Sequence, residues 1–272
     1  MCQSYFGRRM PFSCREIWRL EDIPRDFLKA FHADSKSSEI FDPPSNSVVT
    51  DPAGGDNHVL KVIYHKGSWS HHGPTTGKLQ FFSRPTSRHT ALTLSYDLYF
   101  DPNFDFVRGG KLPGLWGELT NCSGGRHSDD CFSTRFMWRS HGDGEVYAYI
   151  SPRDEQVPGF CDDKVCNSVK GYSLGRGKWC FRRGEWQNIA QYVKLNTPGR
   201  TDGVIRVWFN HKLVYEEDNV SIRQTDSVKI DGIYFSTFFG GGESSWASTR
   251  DTFTCYKNFV LSTNAHHPVI VG

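Results

Sequence analysis

A chain of 272 residues with 26 glycines and 14% aromatic side chains is suited to many strands and tight turns rather than to helices. Its 32 basic and 30 acidic residues nearly cancel, so a formal charge of +2 offers no global field for nucleic acid or an anionic membrane, and any anion site must be local. No apolar run approaches the ~18 residues of a membrane span, and the opening MCQSYFGRRMPF is too polar for a signal peptide, so any such signal lies outside this numbering.

In chain order, IPRDFLKAF is the one helical pattern: Pro24 suits a first turn, and Phe27, Leu28 and Phe31 recur at helical spacing. Strand patterns follow at 58–65, 78–84, 89–100, 132–140, 145–151, 186–196, 203–210, 228–239 and 254–262, separated by Gly, Pro, Asn and Asp clusters. Nine strands without intervening helices predict an all-β jelly-roll sandwich with one short N-terminal helix. We expect a single domain over 1–272, with 1–17 and 263–272 as peripheral tails.

Between these elements, VRGGKLPGLWG (107–117) suits neither a helix nor a central strand. Gly109 and Gly110 permit close backbone approach to a ligand and Pro113 holds Leu112 extended, so Lys111 is expected on a loop, presented rather than buried. A plain solvated turn lysine is the competing reading.

Residues 132–151 read as a hairpin in which each strand has one polar face: Ser133, Arg135, Met137 and Arg139 on the first, Glu145, Tyr147, Tyr149 and Ser151 on the second. A three-residue loop over Gly142, Asp143 and Gly144 predicts Arg139 opposite Tyr147 and Met137 opposite Tyr149, and a one-residue slip would expose Phe136 and Trp138. Such a face is either an ordinary solvated sheet surface or a set able to bind a carboxylate and move a proton.

Eight cysteines include two close pairs in loop sequence, Cys122 with Cys131 and Cys161 with Cys166, which read as loop staples formed in an oxidising compartment. A pairing of Cys180 with Cys255 is the further expectation. No Cys-x-x-Cys or histidine spacing suggests zinc, and neither a metal nor a cofactor is expected. Sequons at Asn121 and Asn219 fit a secreted, extracellular protein.

The chemistry open to two arginines, two tyrosines and a lysine is β-elimination on an acidic polysaccharide such as alginate. The C5 carboxylate of a uronate must be neutralised before the C5 proton can leave; Arg matches it bidentately, and Lys stabilises the developing enolate. Tyr147 is the expected base and acid, its phenolate favoured by Arg139 and Lys111.

GGKLPGLWG, STRFMWR, VYAYI and YFSTFFGG followed by WAS together resemble polysaccharide lyase family 14, which includes mollusc alginate lyases and algal-virus glucuronate lyases. The resemblance spans about residues 100–259 and implies a jelly roll with a concave substrate face, cleaving a polyuronate, with mannuronate-rich alginate expected. It places Lys111, Tyr147, Tyr149 and Arg135 in catalysis and Ser133 in substrate binding. We add Arg139, Trp116 and Trp246 as substrate contacts, the tryptophans as sugar-stacking platforms where core packing is the alternative. Arg126, a further carboxylate contact, sits in the insert NCSGGRHSDDC, which departs from the family pattern.

Three alternatives remain open: a glucuronan lyase of the same family, a non-catalytic lectin-like module for acidic polysaccharide, and a glycoside hydrolase. The hydrolase needs two facing carboxylates, whereas Glu118, Asp129, Asp130, Asp143 and Glu145 read as solvated loop charge. GYSLGRG lacks a following helix and so does not suggest a nucleotide site. The expected partner is the acidic polysaccharide, bound by a monomer.

Overall fold

Even residues of the 91–100 segment (Leu92, Leu94, Tyr96, Leu98, Phe100) are large and apolar, and all are buried in one continuous core. That period-two pattern repeats in strand after strand and has one efficient solution, two sheets packed face to face. A computed structural model describes residues 16–34, 46–70, 77–125, 130–166 and 170–266. Its strands are β1 (Glu16–Leu20), β2 (Asn46–Thr50), β3 (His58–Tyr64), β4 (Lys78–Ser83), β5 (Ala91–Phe100), β6 (Gly109–Gly117), β7 (Phe132–Arg139) and β8 (Gly144–Tyr149). They continue with β9 (Val165–Cys166), β10 (Tyr172–Leu174), β11 (Trp186–Lys194), β12 (Gly203–Phe209), β13 (Lys212–Val220), β14 (Gly232–Phe239) and β15 (Thr252–Ser262). One helix, α1 (Phe27–Ala30), precedes β2.

One sheet has the order β13-β12-β11-β5-β15-β3-β2, with β1 also on β15; the other is β4-β14-β6-β7-β8-β10-β9. The strand pairings among the described residues are all antiparallel, as expected of an all-β sandwich. Between the sheets, Tyr64, Phe100, Phe104, Trp138 and Phe239 make mutual edge and stacked ring contacts.

All nine expected strands form, and six more join them: β1, β2, β6, β9, β10 and β13. The helix is only four residues long and begins three residues after Pro24, outside the first turn expected for it. β1 reaches into the segment expected as a tail, with Glu16 paired to Ser262.

The largest correction concerns 109–117, which is a central strand and not a loop. Its composition is explained by close packing. A Cβ at Gly110 would enter the Trp138 ring, and one at Gly114 or Gly117 would strike neighbouring backbone. Pro113 falls where the β6–β7 register shifts between Leu112 and Gly114. A bulge needs no ladder N–H from it, and its carbonyl accepts a 3.0 Å hydrogen bond from Tyr96 of the opposite sheet. Lys111 is therefore buried at 7% exposure.

The β7–β8 hairpin keeps odd residues on one face as expected, but its register differs. Arg135 faces Tyr147, Ser133 faces Tyr149 and Met137 faces Glu145. The turn comes two residues early, over Ser140–Gly142, with His141 (φ 65°) and Gly142 (φ 92°) in the left-handed region. Gly144 is not a turn glycine. It lies in β8, where a Cβ would overlap the Trp179 indole.

Cys122–Cys131 and Cys161–Cys166 are bonded. Cys180 and Cys255 are not; Cys180 is exposed and forms an isolated bridge with Asp143, and Cys255 is buried on β15.

Gly144→Ala should lower stability by about 1–3 kcal/mol, the usual penalty of overpacking. Denaturant unfolding measures it; an unchanged midpoint would mean that Trp179 can yield.

Candidate active site

The outer face of the seven-stranded sheet carries a cleft of 510 Å³. Its floor is built in rows across the strands. One runs Phe238, Lys111, Met137, Glu145 over β14, β6, β7 and β8; the next runs Tyr234, Gly114, Arg135, Tyr147, Ser173 and reaches β10. The bulge at Pro113 makes this possible: Lys111 before it and Gly114 after it face outward, although their numbers differ in parity.

Glu145, expected as solvated charge, is completely buried. Arg139 donates to its Oε1 from Nε at 2.7 Å, with Nη2 at 2.6 Å. Arg176 donates Nε to its Oε2 at 2.7 Å, and the Ser173 hydroxyl bonds the same oxygen. Both carboxylate oxygens are thereby used. Lys111 and Arg135 are left without a carboxylate partner among the described residues.

Lys111 Nζ lies 3.0 Å from Met137 Sδ and 4.0 Å from the centre of the Tyr147 ring. Burial, then the nearby positive charges of Arg135 and Arg139, hold its pKa well below the ordinary lysine value. Arg135, 2% exposed, donates Nη1 to Ser236 at 3.0 Å, and Ser236 donates to Gln80 at 3.1 Å. Arg135 Nε is buried with no hydrogen-bond partner among the described residues. Arg135 nevertheless lines the cleft, where its guanidinium sets a positive charge against the space open to a ligand.

The two tyrosine rings meet edge to face at 5.6 Å. Tyr147 Oη accepts the Gly171 N–H at 3.2 Å. Its pKa is pushed up to about 12, first by burial and then by Tyr149; Arg139 and the Gly171 bond oppose this without overcoming it. The expected phenolate is thus not favoured in the free protein, because desolvation outweighs the cations. Burial also raises Tyr149, against Arg135 and the backbone N–H groups of Gly125 and Gly124.

The remaining expected contacts divide. Arg139 and Trp246 line the cleft, with Arg139 5.8 Å from the Trp246 ring and Arg108 5.0 Å from it. Ser133 is on the right face but does not line the cleft; it is 1% exposed and donates to the Cys122 carbonyl at 2.7 Å, fastening the loop. Trp116 is fully buried under Arg84 and against Phe82 and Tyr234, so it is no sugar platform. Arg126 lies outside the described residues.

Sequence reasoning missed Gln80, Lys170, Ser173, Arg176, Tyr234 and Ser236, all lining the cleft or bonded to its floor. The alternation of β14 held a signal for Tyr234 and Ser236. The short β9–β10 hairpin held none, since two- and three-residue strands are invisible to periodicity.

A family model described as Polysaccharide lyase 14 matches residues 52–259. A curated relative, Exolysin of Paramecium bursaria Chlorella virus 1, is 26% identical over 225 residues, covering 74% of this chain and 34% of its own. The chain thus spans about a third of the length of that relative. Among solved structures, the PL-14 alginate lyase of Aplysia kurodai is 37% identical with TM-score 0.80, covering 92% of this chain and all of that one. Alginate lyase vAL-1 from Chlorella virus, 21% identical with TM-score 0.72 over 92% of this chain and all of its own, shares the fold.

Replacing Cys122 and Cys131 together by serine should destabilise the chain by about 2–3 kcal/mol, the range for a short closed loop. Activity should fall further than stability accounts for, because the loop presents Gly124 and Gly125 to Tyr149. Thermal melts beside turnover at a temperature where the variant is folded separate the two effects; undiminished turnover would make the staple purely structural.

Proposed function

From the premise that this chain belongs to polysaccharide lyase family 14, we propose that it cleaves mannuronate-rich alginate by β-elimination. The observation that carries the proposal is the opposite displacement of two adjacent groups. Lys111 is held toward the neutral amine and Tyr147 toward the neutral phenol, about 12. Titratable neighbours pushed apart in this way mark a base and an acid.

Arg135, on the floor of the cleft, receives the C5 carboxylate and offsets the charge that would otherwise hold the C5 proton. The Lys111 amine removes that proton. The C5–H electrons form the C4–C5 double bond, the C4–O bond breaks, and the departing oxygen takes the Tyr147 proton. Lysine ends as ammonium and tyrosine as phenolate; loss of one proton from the ammonium to solvent and gain of one by the phenolate restore the start. The net reaction moves one proton and consumes no redox equivalent.

Lys111 and Tyr147 both rise from one sheet face, so they approach one side of the sugar ring. That suits mannuronate, whose C5 proton and C4 oxygen are syn, and not guluronate, where they are anti. Glucuronate has the same relation at C4 and C5; the 37% identity to the Aplysia kurodai alginate lyase supports mannuronate over it.

Incubation with poly-mannuronate, poly-guluronate and glucuronan, followed by ultraviolet absorbance of the unsaturated product, tests this. We expect strong absorbance with poly-mannuronate. Faster reaction with glucuronan would move the chain to the other activity, and a silent protein that binds alginate would be a lectin-like module.

Lys111→Met keeps the buried stem and removes a buried polar head that has no carboxylate partner among the described residues, so the melting temperature should not drop, while turnover falls roughly 100- to 10,000-fold. Tyr147→Phe should bind substrate and lose turnover to a similar degree. In the wild type, kcat/KM should rise with pH through the Lys111 titration, well below the ordinary lysine range, and fall only toward about 12 as Tyr147 ionises. A profile that first rises near the Tyr147 value would restore tyrosinate as the base.

A further inference from the structure

Arg176 follows β10 by two residues, beyond Gly175, whose φ of 66° turns the chain back over the rim. Its Nε is committed, donating to Glu145 Oε2 at 2.7 Å and to the Ser173 hydroxyl at 3.0 Å. Those two acceptors fix the guanidinium plane from below. Both Nη groups have no protein partner among the described residues, and Arg176 lines the cleft with its side chain 36% exposed. Lys170 lines the cleft too and is exposed.

The charges on this side do not balance. Glu145 supplies one negative charge, while Arg139 and Arg176 supply two positive ones. Nor does the surplus lie near enough to Arg135 to serve the same ligand group. Arg135 leans from β7 toward β14, where its Nη1 bonds Ser236, whereas Arg176 Nε bonds Glu145 on β8 and Ser173 on β10; β6 and β7 lie between these anchors, a spread of about 10 Å at the spacing of strands. A single carboxylate does not span that distance, but a polymer with one carboxylate per sugar presents the next ones there.

We propose that Arg176, aimed by Glu145 and Ser173, binds the carboxylate of a uronate neighbouring the one that is cleaved, so that the β10 side of the cleft is a second acidic-sugar subsite. This deepens the polyuronate reading and rests on it. Arg176 is a specificity residue in this role: it selects chains that carry consecutive acidic sugars and orients them across the strands. Glu145 acts through it as a positioning residue. A lysine at 176 would keep charge but not the fork that bonds Glu145 inward and a carboxylate outward.

The test uses the intact protein, wild type and Arg176→Gln, on purified mannuronate oligomers of increasing length. Wild-type kcat/KM should climb at the length that first fills the β10 side. In Arg176→Gln that climb should shrink about tenfold, the effect of one charge-assisted hydrogen bond, with the loss in KM rather than kcat. Arg176→Lys should recover part of it. Equal climbs in variant and wild type overturn the inference, as does a loss of the same size at every length, which would place Arg176 at the cleavage centre. If the wild type makes no unsaturated product from any polyuronate, the function itself is wrong and the subsite falls with it.

Discussion

Positive charge held out of water beside a single buried carboxylate is the constraint that organises this face. Ionic side chains are costly to bury unless paired, and Glu145 has only two oxygens to offer. Arg139 takes one and Arg176 the other. Lys111 on β6 and Arg135 on β7 receive neither. The lysine answers by losing affinity for its proton. Arginine has no such outlet, and the Arg135 guanidinium lies beside the rings of Tyr234 and Tyr149. The same desolvation that favours the neutral amine favours the neutral phenol of Tyr147. The proposed base and acid thus arise from one cause acting on groups of opposite charge type.

That chemistry needs a lysine in the middle of a sheet, and the β6 strand shows what this requires. Regular alternation from Lys111 would turn Leu112 inward and Pro113 outward, then send the even positions 114 and 116 to the core. The shift between Leu112 and Gly114 absorbs one residue, so Leu112 and Leu115 both enter the core while Lys111 and Gly114 share the outer face. Tyr96 satisfies the carbonyl of the proline from the opposite sheet. The glycines beside the lysine let Trp138 and the β7 backbone close in, while on the outer face Met137 and the Tyr147 ring lie against the lysine head.

These contacts explain what was legible in the sequence. Long alternating strands such as 91–100 and 132–139 declare themselves, because each buries one face and a slip would expose it. So did the outward set Arg135, Tyr147 and Tyr149, since face depends only on parity. Register did not: Gly144 looks like turn chemistry but serves Trp179, while His141 takes a left-handed conformation that composition does not announce. Lys111 was identified from its motif yet placed on a loop, because glycine and proline mark turns on average and only the facing strands reveal a bulge. Glu145 and Arg176 could not be paired from sequence, being 31 residues apart on strands whose adjacency depends on a three-residue β10.

Both tyrosines of the cleft also depend on loops that carry little regular structure. Tyr147 receives the Gly171 N–H from the β9–β10 side, and Tyr149 faces the Gly124–Gly125 backbone from the loop before β7. Each of these segments lies beside a short disulfide, Cys161–Cys166 and Cys122–Cys131 respectively. Backbone donors position a phenol only if they stay put, and a covalent staple limits how far such a loop can wander. The sheet therefore supplies the charges and the stapled loops supply the fixed dipoles. What neither supplies is a carboxylate for Arg135 or for the outer nitrogens of Arg176, and a polyuronate carries one on every sugar.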